Sequence, residues 1–218
     1  MLSRRHFIIS SAALFSAPIA LPQRAEAQQS NWDDWDAQVT PAGFDLATSN
    51  PWGLHPRFLP QLVESNTRLR TGDIHVDAVA RYLYHIRENG LAMRFGVAIG
   101  RDGLYEPGTF SVGRKVRWPQ WTPTANMIAR DPEYAEFAGG MPGGPTNPLG
   151  ARAFYLYVGS RDTYLRIHGT PQPRTIGQRA SSGCVRMVMP HIINLFEDVE
   201  IGSMAYLYPA SEPITASS

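Results

Sequence analysis

Asn89-Gly90 stands between two apolar runs of period two, and this arrangement restricts the middle of the chain more than any other feature. Upstream, Ile74, Val76 and Ala78, then Tyr82, Tyr84 and Ile86, alternate with more polar residues, and Phe95, Val97 and Ile99 do so downstream. Asn and Gly accept the positive φ that both central positions of a tight hairpin turn require, so the pattern reads as antiparallel strands. A helix over residues 76–87 is the competing reading and fits the alternation less well. Nineteen Gly and 18 Pro among 218 residues agree with strands joined by many turns.

The same reading extends along the chain. Residues 154–158 and 164–167 read as strands, the second ending at His168, and residues 204–208 as a closing strand. Residues 127–137 read as a short helix broken at Pro132, and residues 191–197 as one that starts after Pro190. The proline-rich stretch 118–123 is expected to be an ordered loop. Residues 139–150 form a longer loop, of a length that is usually functional or disordered. Residues 28–70 lack sustained periodicity and are expected to form an irregular extension, with one short helix near residues 60–65. One catalytic domain is expected over 71–209, with a disordered tail at 210–218.

Ser3, Arg4, Arg5, His6, Phe7 and Ile8 resemble a twin-arginine export signal, and an apolar stretch follows. Ala25-Glu26-Ala27 fits a small-x-small cleavage pattern, which predicts a chain starting at Gln28 in the periplasm. The apolar stretch is too short for a membrane span and contains Pro18. A net charge of +1 gives no field for nucleic acid or an anionic membrane.

Cys184 is the sole cysteine, so it has no internal disulfide partner in an oxidising compartment. Its neighbours Ser181, Ser182, Gly183 and Arg186 are unlike a core segment, which points to a reactive thiol rather than a small buried hydrophobe. A nucleophilic cysteine needs a base, a group that orients the base, and donors for an oxyanion. Packing or structural roles account for His55, His75, His85 and His191. His168 differs, because it meets Gly169-Thr170-Pro171 where a β-like run must turn. Gly183 before the thiol permits a tight turn with N–H groups aimed at a substrate carbonyl. Arg186 fits a substrate carboxylate, a surface charge or an internal ion pair equally well. No close His pair or second Cys supports a metal site.

Ile167-His168-Gly169-Thr170, then Ile176-Gly177, then Ser181-Ser182-Gly183-Cys184-Val185-Arg186-Met187 resemble the signature of the L,D-transpeptidase (YkuD-like) family. Asn147-Pro148-Leu149-Gly150, the stretch from Trp118 to Pro123 and the hairpin of residues 74–100 resemble further blocks of it. The likeness covers roughly residues 70–208. Where many members carry His directly before Gly-Cys, this chain has Ser182.

The resemblance implies a mainly β fold, an L,D-transpeptidase-like β-sandwich or barrel with one or two short helices, acting without a cofactor. It implies that the Cys184 thiolate attacks the third-residue carbonyl of a peptidoglycan tetrapeptide stem and that D-alanine leaves. His168 is then the base and the later acid, the Gly169 carbonyl orients it, and N–H groups around Gly183 and Cys184 are candidates for the oxyanion hole. Arg186, Gly183 and Ser182 are the expected substrate contacts. The acyl acceptor is a diamino acid amine, giving a 3–3 cross-link, or an amine of an outer-membrane protein or lipoprotein. Water as acceptor would make the protein an L,D-carboxypeptidase. A wall-binding module without turnover and a secreted cysteine protease are the remaining readings. A monomer is expected.

Overall fold

The computed structural model describes residues 23–211, with side chains from residue 31 onward. Residues 1–22 of the expected 1–27 export signal and most of the expected tail lie outside the described residues. Helix α1 (Gln23–Val39) leads to a 3₁₀ turn (Pro56–Phe58) and strands β1 (Gln61–Glu64), β2 (Ile74–Asp77), β3 (Tyr82–Ile86), β4 (Leu91–Gly96), β5 (Ile99–Gly100) and β6 (Gly108–Arg117). Helix α2 (Ala125–Arg130) and a 3₁₀ segment (Pro132–Phe137) precede β7 (Arg152–Val158) and β8 (Arg161–Thr170). A 3₁₀ turn (Pro173–Thr175), β9 (Arg179–Ser181), β10 (Val185–Val188), α3 (Met189–Asp198) and β11 (Met204–Leu207) complete the order.

Nine strands form one sheet in the order β1-β4-β3-β2-β11-β6-β7-β8-β10, and β5 pairs with β9. The large sheet curls until its ends approach. Ala98, just after β4, exchanges backbone hydrogen bonds of 2.9 and 2.8 Å with Arg186 of the edge strand β10. The expected mainly β fold is therefore present, in a barrel-like form whose closure covers the β10 edge next to the candidate site.

The core lies inside this curl. Ile74, Val76, Leu83, Phe95, Val112, Phe154, Leu156, Ile167, Val185 and Met187 are fully buried, and α3 adds Ile192 and Leu195. Each such large apolar side chain contributes about 1.5–3 kcal/mol by leaving water. Pro190 sits in the first turn of α3, where its missing N–H costs nothing.

The hairpin turn forms as expected: Asn89 and Gly90 have φ of 57° and 67° between β3 and β4. The face assignment along β3 differs from the alternation read in the sequence. Ile74 pairs with His85 and Val76 with Leu83, so Leu83 and His85 share the core face while Tyr82 and Tyr84 lie half-buried on the other. The turn from Asp77 to Arg81, where Asp77 accepts from the Val79 and Ala80 N–H groups, sets this one-residue offset.

The N-terminal extension is more ordered than its sequence suggests. Its backbone is helical to Val39, and residues 61–64 form strand β1 on the edge of β4 rather than a helix. Trp32, Trp35 and Val39 pack against Trp118, Ala151, Met189 and Ile193. Asp36 sits on the same helix and accepts hydrogen bonds from the Arg152 guanidinium (2.9 and 2.6 Å), from Arg117 (3.1 Å) and from Trp118 Nε1 (3.1 Å).

Candidate active site

Strand β8 runs two residues past His168 instead of ending there, so the imidazole is fixed within a paired strand. Parallel pairing sets Arg186 of β10 opposite His168, and antiparallel pairing sets Ala153 of β7 on its other side. The small Ala153 leaves room for the ring. Side chains two residues apart share a sheet face, so Arg166 and His168 of β8 face the same way as Arg186 of β10, the strand that Cys184 adjoins.

His168 is 4% exposed, and its Nδ1 lies 2.6 Å from the carbonyl of Gly169. A carbonyl only accepts, so Nδ1 carries the proton and Nε2 keeps a free lone pair. Burial depresses the imidazole pKa to about 3, helped by the Arg186 and Arg166 charges and opposed by backbone contacts from Gly169 and Leu149. The resting ring is neutral and able to take a proton. Gly150 (φ 62°) packs against Gly169 so closely that a Cβ there would meet its carbonyl carbon at 2.7 Å. Asn147, fully buried, accepts from the Leu149 N–H (2.8 Å) and donates to the Met141 and Pro142 carbonyls. The Asn147 to Gly150 block thus holds the loop against the histidine.

The Cys184 turn is built around Ser181. The Ser181 hydroxyl donates to the Cys184 carbonyl (2.5 Å) and accepts from the Gly183 N–H (3.2 Å). Gly183 has φ 131°, and a Cβ there would sit 3.0 Å from the Leu104 carbonyl, so glycine is required. The Gly183 N–H is therefore engaged within the turn. Among the described residues the Cys184 N–H makes no hydrogen bond and is free to meet an oxyanion.

Cys184 is half-buried, and its Sγ contacts the Tyr164 carbonyl at 3.9 Å. No hydrogen bond joins it to His168 among the described residues. Cys184 directly precedes β10, two residues before the Arg186 that pairs with His168. Burial raises the thiol pKa, against a backbone hydrogen bond from Arg166 and the charges of Arg166 and Arg186. Glu106 raises it further. A neutral thiol beside a neutral imidazole is the resting pair.

Arg186 makes one weak contact, Nη1 to Gln172 Oε1 at 3.4 Å, and its Nε is buried without a partner. It joins no ion pair among the described residues. Ser182 makes no side-chain hydrogen bond there either.

Two elements of the site had no signal in the sequence. Arg166 is 8% exposed, stacks 3.8 Å over Tyr155 and binds both oxygens of Asp162 at 2.7 and 2.8 Å. Tyr164 adopts φ 62° at a bulge where β8 shifts register against β7, and this turns its carbonyl toward the thiol. The Asp162 to Arg166 spacing would suggest a helix; only the bulge lets it close on a strand.

The L,D-transpeptidase catalytic domain (YkuD) model matches residues 71–207, which hold every one of these site residues. The chain belongs to the YkuD L,D-transpeptidase catalytic domain family. YbiS of Escherichia coli strain K12, described as a probable L,D-transpeptidase, is 33% identical over 163 residues, covering 73% of this chain and 51% of YbiS. ErfK/SrfK of the same strain, likewise described, is 32% identical over 151 residues, or 66% of this chain and 46% of that protein. The chain spans about half the length of the curated relatives it matches. Among solved structures, a Brucella melitensis chain described as a probable carnitine operon oxidoreductase is 46% identical, with TM-score 0.49, over 69% of this chain and 93% of that one. An L,D-transpeptidase from Mycobacterium smegmatis is 16% identical, with TM-score 0.45, over 62% and 58%.

Proposed function

We propose that the protein is a peptidoglycan L,D-transpeptidase acting in the periplasm through a Cys184 acyl-enzyme. The observation that carries this reading is His168, held neutral with Nδ1 bound to the Gly169 carbonyl, on the strand that pairs with the one Cys184 adjoins. Rotation of Sγ toward Nε2 lets the imidazole take the thiol proton as sulfur attacks the carbonyl of the third stem residue. The imidazolium forms under the charges of Arg186 and Arg166 and is a strong acid there. It returns its proton to the amine of the terminal D-alanine, which leaves with the broken C–N bond.

The tetrahedral oxyanion is met by the Cys184 N–H, and Arg186, which joins no ion pair among the described residues, suits a stem carboxylate. An amine then attacks the thioester, loses its proton to His168 and releases the thiol. That amine belongs to the diamino acid of a second stem or to an outer-membrane protein or lipoprotein. Water in its place would give an L,D-carboxypeptidase. Intact-mass measurement after incubation with a carbapenem tests the first half: an adduct on the wild type and none on Cys184→Ala is expected. A wild type that stays unmodified while folded and reduced would overturn the nucleophile assignment.

A further inference from the structure

A pocket of about 360 Å³ opens where residues 52–58 meet the 3₁₀ turn of Pro173–Thr175. Trp52, Leu54, Phe58 and Ile176 supply its apolar wall, and His55 and Arg174 its polar rim. The volume is that of a small-molecule site. Residues 52–58 precede the 71–207 span that the family model matches, so most of this wall is supplied by the N-terminal extension. One turn ties the pocket to the candidate active site: Gln172 contacts Arg186, and Arg174, two residues on, lines the pocket.

The pocket continues into a basic, aromatic surface. The Arg57 guanidinium lies 4.4 Å over the Phe58 ring, Phe58 lies 5.9 Å from Tyr82, and Arg94 lies 4.4 Å over Tyr82. Arg57, Arg81, Arg94 and Arg174 join no ion pair among the described residues, although Arg94 donates to Gln61 Oε1. Burial, then the charges of Arg179 and Arg57, lower the Arg81 pKa against Asp77 and Asp102. Both acids are engaged: Asp102 pairs with Arg179, and Asp77 accepts from the Val79 and Ala80 N–H groups. The chain as a whole carries a net charge of only +1, so four guanidinium groups without ion pairs make a local field here.

We propose that this surface docks the polymeric wall: the pocket takes a sugar ring of a glycan strand against Trp52, and the arginines take carboxylates of stem peptides other than the one at Cys184. The inference rests on the transpeptidase reading above, which makes peptidoglycan the substrate. A sugar ring packs its apolar C–H face on an aromatic wall while its hydroxyl groups reach a polar rim, as His55 and Arg174 provide. Stem peptides end in carboxylates, for which exposed guanidinium groups are the complementary charge. A single soluble stem occupies the catalytic site alone. A strand with repeated stems engages both places at once, so the surface raises retention on polymer through avidity. No bond forms or breaks at the surface.

The test uses the purified protein, insoluble peptidoglycan sacculi and a soluble disaccharide tetrapeptide. The double variant Arg57→Gln, Arg174→Gln changes two exposed side chains, and its thermal unfolding should match the wild type. It should be retained on sacculi about tenfold more weakly, the effect of two exposed charge pairs, and release D-alanine from sacculi correspondingly more slowly. On the soluble disaccharide tetrapeptide it should keep the wild-type kcat/KM. The double variant Arg57→Lys, Arg174→Lys should restore most of the retention, and added salt should weaken the wild type more than the Gln variant. Equal retention of the wild type and the Gln variant on sacculi would overturn the proposal, as would wild-type binding to anionic phospholipid vesicles and not to sacculi. A Gln variant slowed equally on both substrates would also overturn it. If sacculi hold the wild type through these arginines but it releases D-alanine from neither substrate, the docking surface stands and the transpeptidase reading fails.

Discussion

Asp36 of α1 and Arg152 of β7 form a two-pronged ion pair across 116 residues of sequence, with the arginine 2% exposed. Arg152 also donates to the Ala151 carbonyl (2.9 Å), and the preceding Gly150 packs on Gly169, whose carbonyl orients His168. Helix α1 falls outside the residues matched by the family model and still packs against Trp118, Ala151 and Met189.

Removing Asp36 strands a buried guanidinium. Asp36→Ala should lower stability by about 3 kcal/mol, at the low end for a broken buried pair because Asp36 keeps some solvent contact. Thermal unfolding should show a melting temperature about 10 °C lower, and replacing Asp36 and Arg152 together by apolar residues should recover much of it.

Four buried histidines make stability depend on pH. Burial holds His168 and His191 at about 3 and His85 at about 4, and it also lowers His75, all below the unfolded value of 6.5. Above pH 6.5 neither state is protonated, and the histidines impose no penalty. As pH falls from 6.5 toward 4, the unfolded chain binds protons that the native protein refuses, so stability is lost at about 1.4 kcal/mol per pH unit for each group. Urea midpoints measured across this window should fall with acid.

His191 isolates one part of that slope. Its ring packs against Phe44, Trp52 and Phe95, and neither nitrogen has a hydrogen-bond partner. His191→Phe should raise the urea midpoint at pH 5 and reduce the slope by about one histidine's share.

Ser181 organises the Cys184 turn through two hydrogen bonds. Ser181→Ala should leave the fold intact and lower the rate of Cys184 acylation by a carbapenem about tenfold, the equivalent of roughly one hydrogen bond. Stopped-flow acylation rates check this.

Arg186 lowers the pKa of both His168 and Cys184. Arg186→Gln should therefore move the pH profile of Cys184 alkylation upward, and iodoacetamide kinetics from pH 6 to 10 measure the shift.

Features set by short-range chemistry were legible in the sequence. The Asn89-Gly90 turn is specified by two adjacent residues, and Gly183, expected to permit a tight turn before Cys184, adopts φ 131°. Features that depend on distant partners were not. Trp32, Trp35 and Val39 have helical spacing, but they acquire a role only when Trp118, Ala151 and Met189 form a surface for them. Tyr82 and Tyr84 looked like a core face because alternation gives a period without a phase; pairing with β2 supplies the phase. Gly183 was expected among the oxyanion donors, and the Ser181 hydroxyl takes its N–H instead. Arg166 shows itself only once the bulge at Tyr164 closes it on Asp162.

The central claim is that Cys184 carries the stem peptide as an acyl-enzyme to an amine. Mass spectrometry of purified tetrapeptide muropeptides, incubated with the wild type or with Cys184→Ala, tests it most directly. The account predicts loss of D-alanine and a 3–3 linked dimer with the wild type, and neither with the variant. Untouched tetrapeptides with a folded, reduced wild type, or the same products from Cys184→Ala, would contradict it.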